Sequence, residues 1–233
     1  MIARYVTVTG LVAVIACGSA PERRTETTPP STPAAAPAAM PAAHPPIVLV
    51  LGTSLTAGYG LPDAALAYPA LLQQKADSAG YKVQIVNAGV SGETSAGALR
   101  RVEWVLQEPV SVFVLESGAN DGLRGQDPDS LRHNLEAILD RVRRQQPPPR
   151  VLLVGMEAMP NLGQGYRRRF HDVYPEVAKK YDVALVPFLL EGVAGVDSLN
   201  QADGVHPTAA GQRRIADTVW RYLEPLLREL PSA

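Results

Sequence analysis

The chain has 233 residues, with 22 Lys and Arg against 23 Asp and Glu, and 46% of it is hydrophobic. That length allows one domain with a sizeable core plus an appendage. The near-cancelling charge excludes an overall field that would draw in a nucleic acid or an acidic polymer, and the single cysteine excludes an internal disulfide.

The chain begins MIARYVTVTGLVAVIAC: one early arginine, an apolar run through Val6 to Ala16, then Cys17. The run is too short to span a bilayer comfortably, and its positive start, apolar middle and small-residue end are those of a secretory signal. Residues 1–17 are therefore expected to direct export. The tetrapeptide VIAC also resembles the lipobox of bacterial lipoproteins, in which cleavage exposes a cysteine that is then lipidated. On that resemblance Cys17 carries a lipid anchor, and the protein is expected at the cell envelope, in the periplasm or at the outer membrane.

Residues 18–46 are read as a tether. Positions 19–46 hold eight of the 21 prolines and almost no branched or aromatic apolar side chains. Such a segment cannot bury enough surface to offset its ordering entropy. Extended, it reaches at most ~90 Å.

From Ile47 onward, over 47–233, the pattern is that of one folded domain. Strands are predicted at 47–52, 82–88, 110–116, 150–155 and 183–188, each a nearly continuous apolar run of the kind that parallel strands show when both faces are covered. Helices are predicted near 66–79, 95–107, 129–145, 166–180 and 208–229. The second ends before Pro109 and the third before the proline run at 147–149. This alternation predicts an α/β fold: a three-layer α/β/α sandwich with a mostly five-stranded parallel sheet, flavodoxin-like in plan.

Ligand sites in such sheets gather at the carboxyl ends of the strands. After the first strand comes GTSLTAGYG, where Thr53 or Ser54 could cap a helix or Ser54 could offer a hydroxyl. After the second comes NAGVSGETS and after the third ESGANDGLRG; both suit ordinary turns, and both could aim donors at an oxyanion. Near the end, QADGVHPTAAGQ sets Asp203 three residues before His206, close enough for a carboxylate to fix an imidazole tautomer. A hydroxyl, backbone N–H groups, a neutral amide and an acid with a base are together the parts that acyl transfer requires.

These four blocks, LGTSLTAGYG, VNAGVSGETS, ESGANDGLRG and DGVHP, resemble the SGNH (GDSL-type) hydrolase family, and within it the bacterial acyl-thioesterase, lysophospholipase and arylesterase branch. The similarity spans nearly all of residues 47–230, in the family's order and with similar spacing. It implies that Ser54 is the nucleophile, His206 the general base and Asp203 its orienting acid. The implied oxyanion hole comprises the N–H of Ser54, the N–H of Gly92 and the side-chain amide of Asn120. One position departs from the signature. Thr53 stands where the family has Asp, and threonine can accept a bond from the following turn but carries no charge. Activity is expected to survive.

Within 155–170, Met156, Met159 and Leu162 are expected either to form an adaptable apolar wall for an acyl chain or to fill gaps in the core. The implied substrates are short- to medium-chain acyl esters, including lysolipids. A carbohydrate O-deacetylase of the same family and an inactive lipid- or glycan-binding lipoprotein are the alternatives. No G-x-S-x-G elbow and no glycine-rich phosphate loop occurs. His44, His133 and His171 lack paired ligands at useful spacing, so neither a metal nor another cofactor is expected. The partners expected are a small-molecule ester and, through Cys17, a membrane; no oligomeric state can be read from the pattern.

Overall fold

The computed structural model describes residues 45–231. The signal segment, Cys17 and residues 18–44 of the tether lie outside the described residues. Five strands form one sheet: β1 (Ile47–Gly52), β2 (Gln84–Gly89), β3 (Val112–Glu116), β4 (Arg150–Val154) and β5 (Ala184–Val186). Their order is β2-β1-β3-β4-β5 and every pairing is parallel. β1 and β3 are buried along almost their whole length, which is why they read as unbroken apolar runs. β5 stops at Val186 rather than the expected 188: Gly155 N–H still bonds Val186 O, but Gly155 O accepts from Leu189 N–H instead of Phe188, so the ladder ends there.

The long helices are α2 (Tyr68–Ser78), α3 (Ser95–Val105), α5 (Pro128–Val142), α6 (Gln164–Tyr181) and α7 (Ala209–Arg228). α2 and α7 pack together on one side of the sheet, while α3, α5 and α6 pack in sequence on the other. The three-layer plan is thus as the sequence predicts. α7 shows how one stripe drives the packing: Ile215, Val219, Leu223 and Leu227 recur at fourfold spacing and are all buried. The core is drawn wholly from positions between Val48 and Leu227. The described part therefore carries its own hydrophobic interior.

Two short helices complete the plan, α1 (Ser54–Ala57) directly after β1 and α4 (Ala119–Leu123) after β3. Between β1 and β3 the chain's crossovers diverge, since β2 lies outside β1 on one flank while β4 and β5 continue on the other. A crevice opens at such a switch point beyond the carboxyl ends. α1 and α4 face it from either side.

Candidate active site

Ser54 is the first residue of α1, and Thr53 is that helix's N-cap, its side chain accepting from Leu55 N–H. Capping and presentation of a hydroxyl are therefore divided between neighbours. Thr53 is itself fixed from below by Glu116, the last residue of β3, which is fully buried. The Glu116 carboxyl accepts from Thr53 N–H at 2.7 Å, from the Thr53 hydroxyl at 3.0 Å and from the Thr56 hydroxyl at 2.8 Å. Burial pushes this carboxyl's pKa up, while these hydrogen bonds pull it back down. Threonine thus secures the loop as a donor to a neighbouring acid, a role that its missing charge does not impair. Nothing in the sequence marked Glu116, because an acidic residue at the end of an apolar strand reads as the start of a solvent loop.

His206 reaches Ser54 from the loop before α7. Its Nε2 lies 3.0 Å from Ser54 Oγ, and its Nδ1 lies 2.6 Å from Asp203 Oδ2. Asp203 Oδ1 accepts the backbone N–H groups of Val205 at 2.9 Å and His206 at 3.0 Å. The His206 backbone N–H, then the imidazole, then the Val205 N–H hold the Asp203 carboxyl down at about 2. An ionised Asp203 accepts a hydrogen bond from Nδ1–H and so keeps the proton on that nitrogen, which leaves Nε2 as a bare acceptor facing the serine hydroxyl. Tyr59 packs against the imidazole with ring centroids 4.5 Å apart. Gln201 joins the two segments, donating to Tyr59 O at 2.8 Å while its own backbone N–H bonds His206 O at 2.7 Å. A second brace, buried Gln212 on α7, accepts from Tyr68 N–H and donates to Leu55 O, so the helix behind His206 is tied to the helix that starts at Ser54.

Gly92 and Asn120 stand across the crevice. Gly92 takes φ 78°, a left-handed conformation that glycine adopts without side-chain strain. The backbone N–H groups of Ser54 and Gly92 make no hydrogen bond within the described residues. Asn120 donates one N–H to Glu93 O at 2.9 Å, which orients the amide and leaves its second N–H available. Arg101 secures the same loop: it binds Glu93 at 2.6 and 2.7 Å and also donates to Ala88 O and Gly52 O, the ends of β2 and β1. Asp121, beside Asn120, accepts from Ser95 N–H at 2.9 Å and so locks α4 to the start of α3.

These groups share one cavity of about 260 Å³. Ser54, His206, Gly92 and Asn120 line it together with Leu55, Tyr59, Leu123, Met156, Met159 and Leu190. Asp203 stands behind His206, away from the cavity wall. Leu162 does not belong there: it lies in a short 3-10 turn, Pro160–Leu162, and packs against the core. Nor is 155–170 one loop, since α6 begins at Gln164 and its amphipathic stripe takes Phe170 inward. Tyr59, Leu123 and Leu190 are wall residues that no motif announced. His133 is exposed on α5, and His171 on α6 faces Glu157 at 2.5 Å.

Comparison with known proteins places this geometry. Residues 50–214 match the GDSL-like Lipase/Acylhydrolase family. The chain belongs to that family. It is 44% identical over 181 residues to esterase TesA of Pseudomonas aeruginosa, an alignment covering 77% of this chain and 89% of the relative. It is 39% identical to thioesterase 1/protease 1/lysophospholipase L1 of Escherichia coli, covering 77% and 84%. The crystal structure of TesA superposes with a TM-score of 0.73 at 44% identity, over 77% of this chain and 99% of the solved one. The chain is accordingly a carboxylic ester hydrolase, a serine esterase of the SGNH type.

Proposed function

We propose that Ser54, His206 and Asp203 form the catalytic triad, and that the enzyme hydrolyses short- to medium-chain acyl esters, lysolipids among them. The observation that carries this is the hydrogen-bonded line from Asp203 through His206 to Ser54 at the wall of an apolar cavity. His206 Nε2 takes the serine proton as Oγ attacks the ester carbonyl. The negative charge that develops on the carbonyl oxygen meets the N–H groups of Ser54 and Gly92 and the amide of Asn120. The alcohol or thiol then departs with the proton from His206, and water, activated by the same base, releases the acid. Asp203 holds the ring and stabilises the imidazolium without taking the proton itself.

The lining supports the choice of substrate: Leu55, Leu123, Met156, Met159 and Leu190 make most of the cavity wall apolar, which suits an acyl chain better than the hydroxyl-rich surface of a sugar. Met156 and Met159 provide the adaptable part of the wall. Residues 1–17 as an export signal, lipidation of Cys17 and residues 18–46 as a tether complete the proposal on sequence grounds. They put envelope lipids or imported esters within reach. Replacement of Cys17 by Ser should abolish incorporation of labelled palmitate, and continued incorporation would reject the anchor.

Turnover of p-nitrophenyl esters from acetyl through long acyl chains, by the wild type and by Ser54→Ala, tests the enzymatic part. A maximum beyond acetyl that disappears in the variant is expected, with a loss on the order of 10⁴ to 10⁶. A maximum at acetyl would favour the deacetylase. Turnover in neither form would favour a binding protein.

A further inference from the structure

Among the described residues, large exposed apolar side chains are few, and they are unevenly placed. Tyr59, Leu123 and Met159 are about half exposed and stand at the wall of the catalytic cavity, and exposed Val90 lines the depression next to it. Trp104 and Val196 are the remaining ones, and they line neither. The mouth of the cavity is thus bordered by exposed apolar side chains.

Charge flanks the rim. One shallow depression shares Ser91 and Gly92 with the cavity and is lined by Arg100, Arg101 and Arg124. Another shares Glu157 with it and is lined by Arg167, Arg168 and His171. The acidic groups there are already engaged, Glu93 by Arg101 and Glu157 by His171, and Asp127 and Asp129 are held by Arg169. Arg100, Arg124, Arg167 and Arg168 are exposed and have no ion-pair partner among the described residues. Apolar tips beside unpaired guanidinium groups suit the headgroup boundary of an anionic bilayer, where the tips leave water and the cations meet phosphates. Among the described residues no helix is long and apolar enough to cross a bilayer, so such contact is superficial.

We propose that the mouth of the catalytic cavity is a docking surface for an anionic lipid bilayer, with Tyr59, Val90, Leu123 and Met159 entering the headgroup boundary and Arg100, Arg124, Arg167 and Arg168 facing its phosphates. A lipid ester then passes into the cavity without crossing bulk water. Docking of this kind presupposes the lipid-ester chemistry proposed above.

The test uses residues 45–233, which contain the core found among the described residues and correspond to the solved TesA chain, so no leader or lipid anchor contributes. Sedimentation with phosphatidylcholine vesicles, with and without phosphatidylglycerol, is compared for the wild type and for the combined Arg100→Glu, Arg167→Glu and Arg168→Glu variant. Arg124 is spared because it also donates to Gly92 O. The wild type is expected to bind the phosphatidylglycerol vesicles preferentially and to be released by salt. Each arginine near an anionic surface is worth about a fivefold gain in partitioning, so the variant should bind at least ~100-fold more weakly while its turnover of a soluble p-nitrophenyl ester is unchanged. Equal binding of wild type and variant, equal binding to both kinds of vesicle, or no binding of the wild type would overturn the proposal. Charge-dependent binding without any ester turnover would uphold docking and remove the catalytic reading instead.

Discussion

Glu116 shows how much of the placement of Ser54, the proposed nucleophile, depends on one buried side chain. Three of the hydrogen bonds that fix Thr53 and Thr56 end on its carboxyl, and Ser54 lies between those two threonines. Glu116→Gln replaces one acceptor oxygen by an amide donor facing donors. Leaving buried donors unsatisfied costs about 1–3 kcal/mol, so the melting temperature should fall. kcat should fall with it while KM stays near the wild-type value, because the cavity wall is untouched. Steady-state kinetics beside thermal unfolding separates the two effects. Asn120→Ala, by contrast, should lower kcat by ~10² to 10³ with little change in stability, as the loss of one oxyanion donor does. Asp203 governs a third behaviour. Its carboxyl is held at about 2, below the ordinary value, so the stabilisation it gives is fully present above about pH 4 and is lost as pH falls towards 2. The stability difference between wild type and Asp203→Asn should shrink as pH falls from about 4 towards 2; a difference unchanged over that interval would contradict the assignment.

At the scale of elements, the site is assembled from the first turns after strands. β1 delivers Ser54, the segment after β2 delivers Gly92, and α4 after β3 delivers Asn120, so a parallel sheet brings distant blocks of sequence to one rim. That much was legible beforehand. Strand runs, helix stripes and the Ser54, Gly92, Asn120, Asp203 and His206 blocks are local patterns, and local patterns survive in a linear sequence. The braces were not legible. Glu116 under Thr53, Gln212 between α1 and α2, and Arg101 across two strand ends act over separations of 13 to 157 residues, and single polar residues give no periodic signal. For Leu162 the sequence left pocket wall and core filling both open, since a leucine suits either; the 3-10 turn packs it against the core. Close approach of elements supplies another test. A Cβ added to Gly89 would stand 2.3 Å from Ala57 N, so the end of β2 and the nucleophile helix meet backbone to backbone. Gly89→Ala should displace α1, destabilise the fold by about 1–3 kcal/mol and lower kcat. Unchanged kinetics would mean that α1 tolerates the shift.

For the whole molecule, the division is between a rigid sheet and a chemically varied rim. Strand ends place Ser54, Gly92 and Asn120, while the two methionines, Tyr59 and Leu123 line the cavity that these residues share. The near-zero net charge conceals this organisation, because acids and bases cancel in number while arginines without ion-pair partners among the described residues gather beside the cavity. The experiment that bears most directly on the proposed chemistry is labelling with a phosphonate ester, whose phosphorus is attacked by an activated serine with departure of its leaving group. Mass spectrometry of the wild type should find a single adduct, on the peptide containing Ser54, formed more slowly in His206→Ala and absent in Ser54→Ala. An adduct on another residue, or labelling of Ser54→Ala at the wild-type rate, would contradict the triad proposed here.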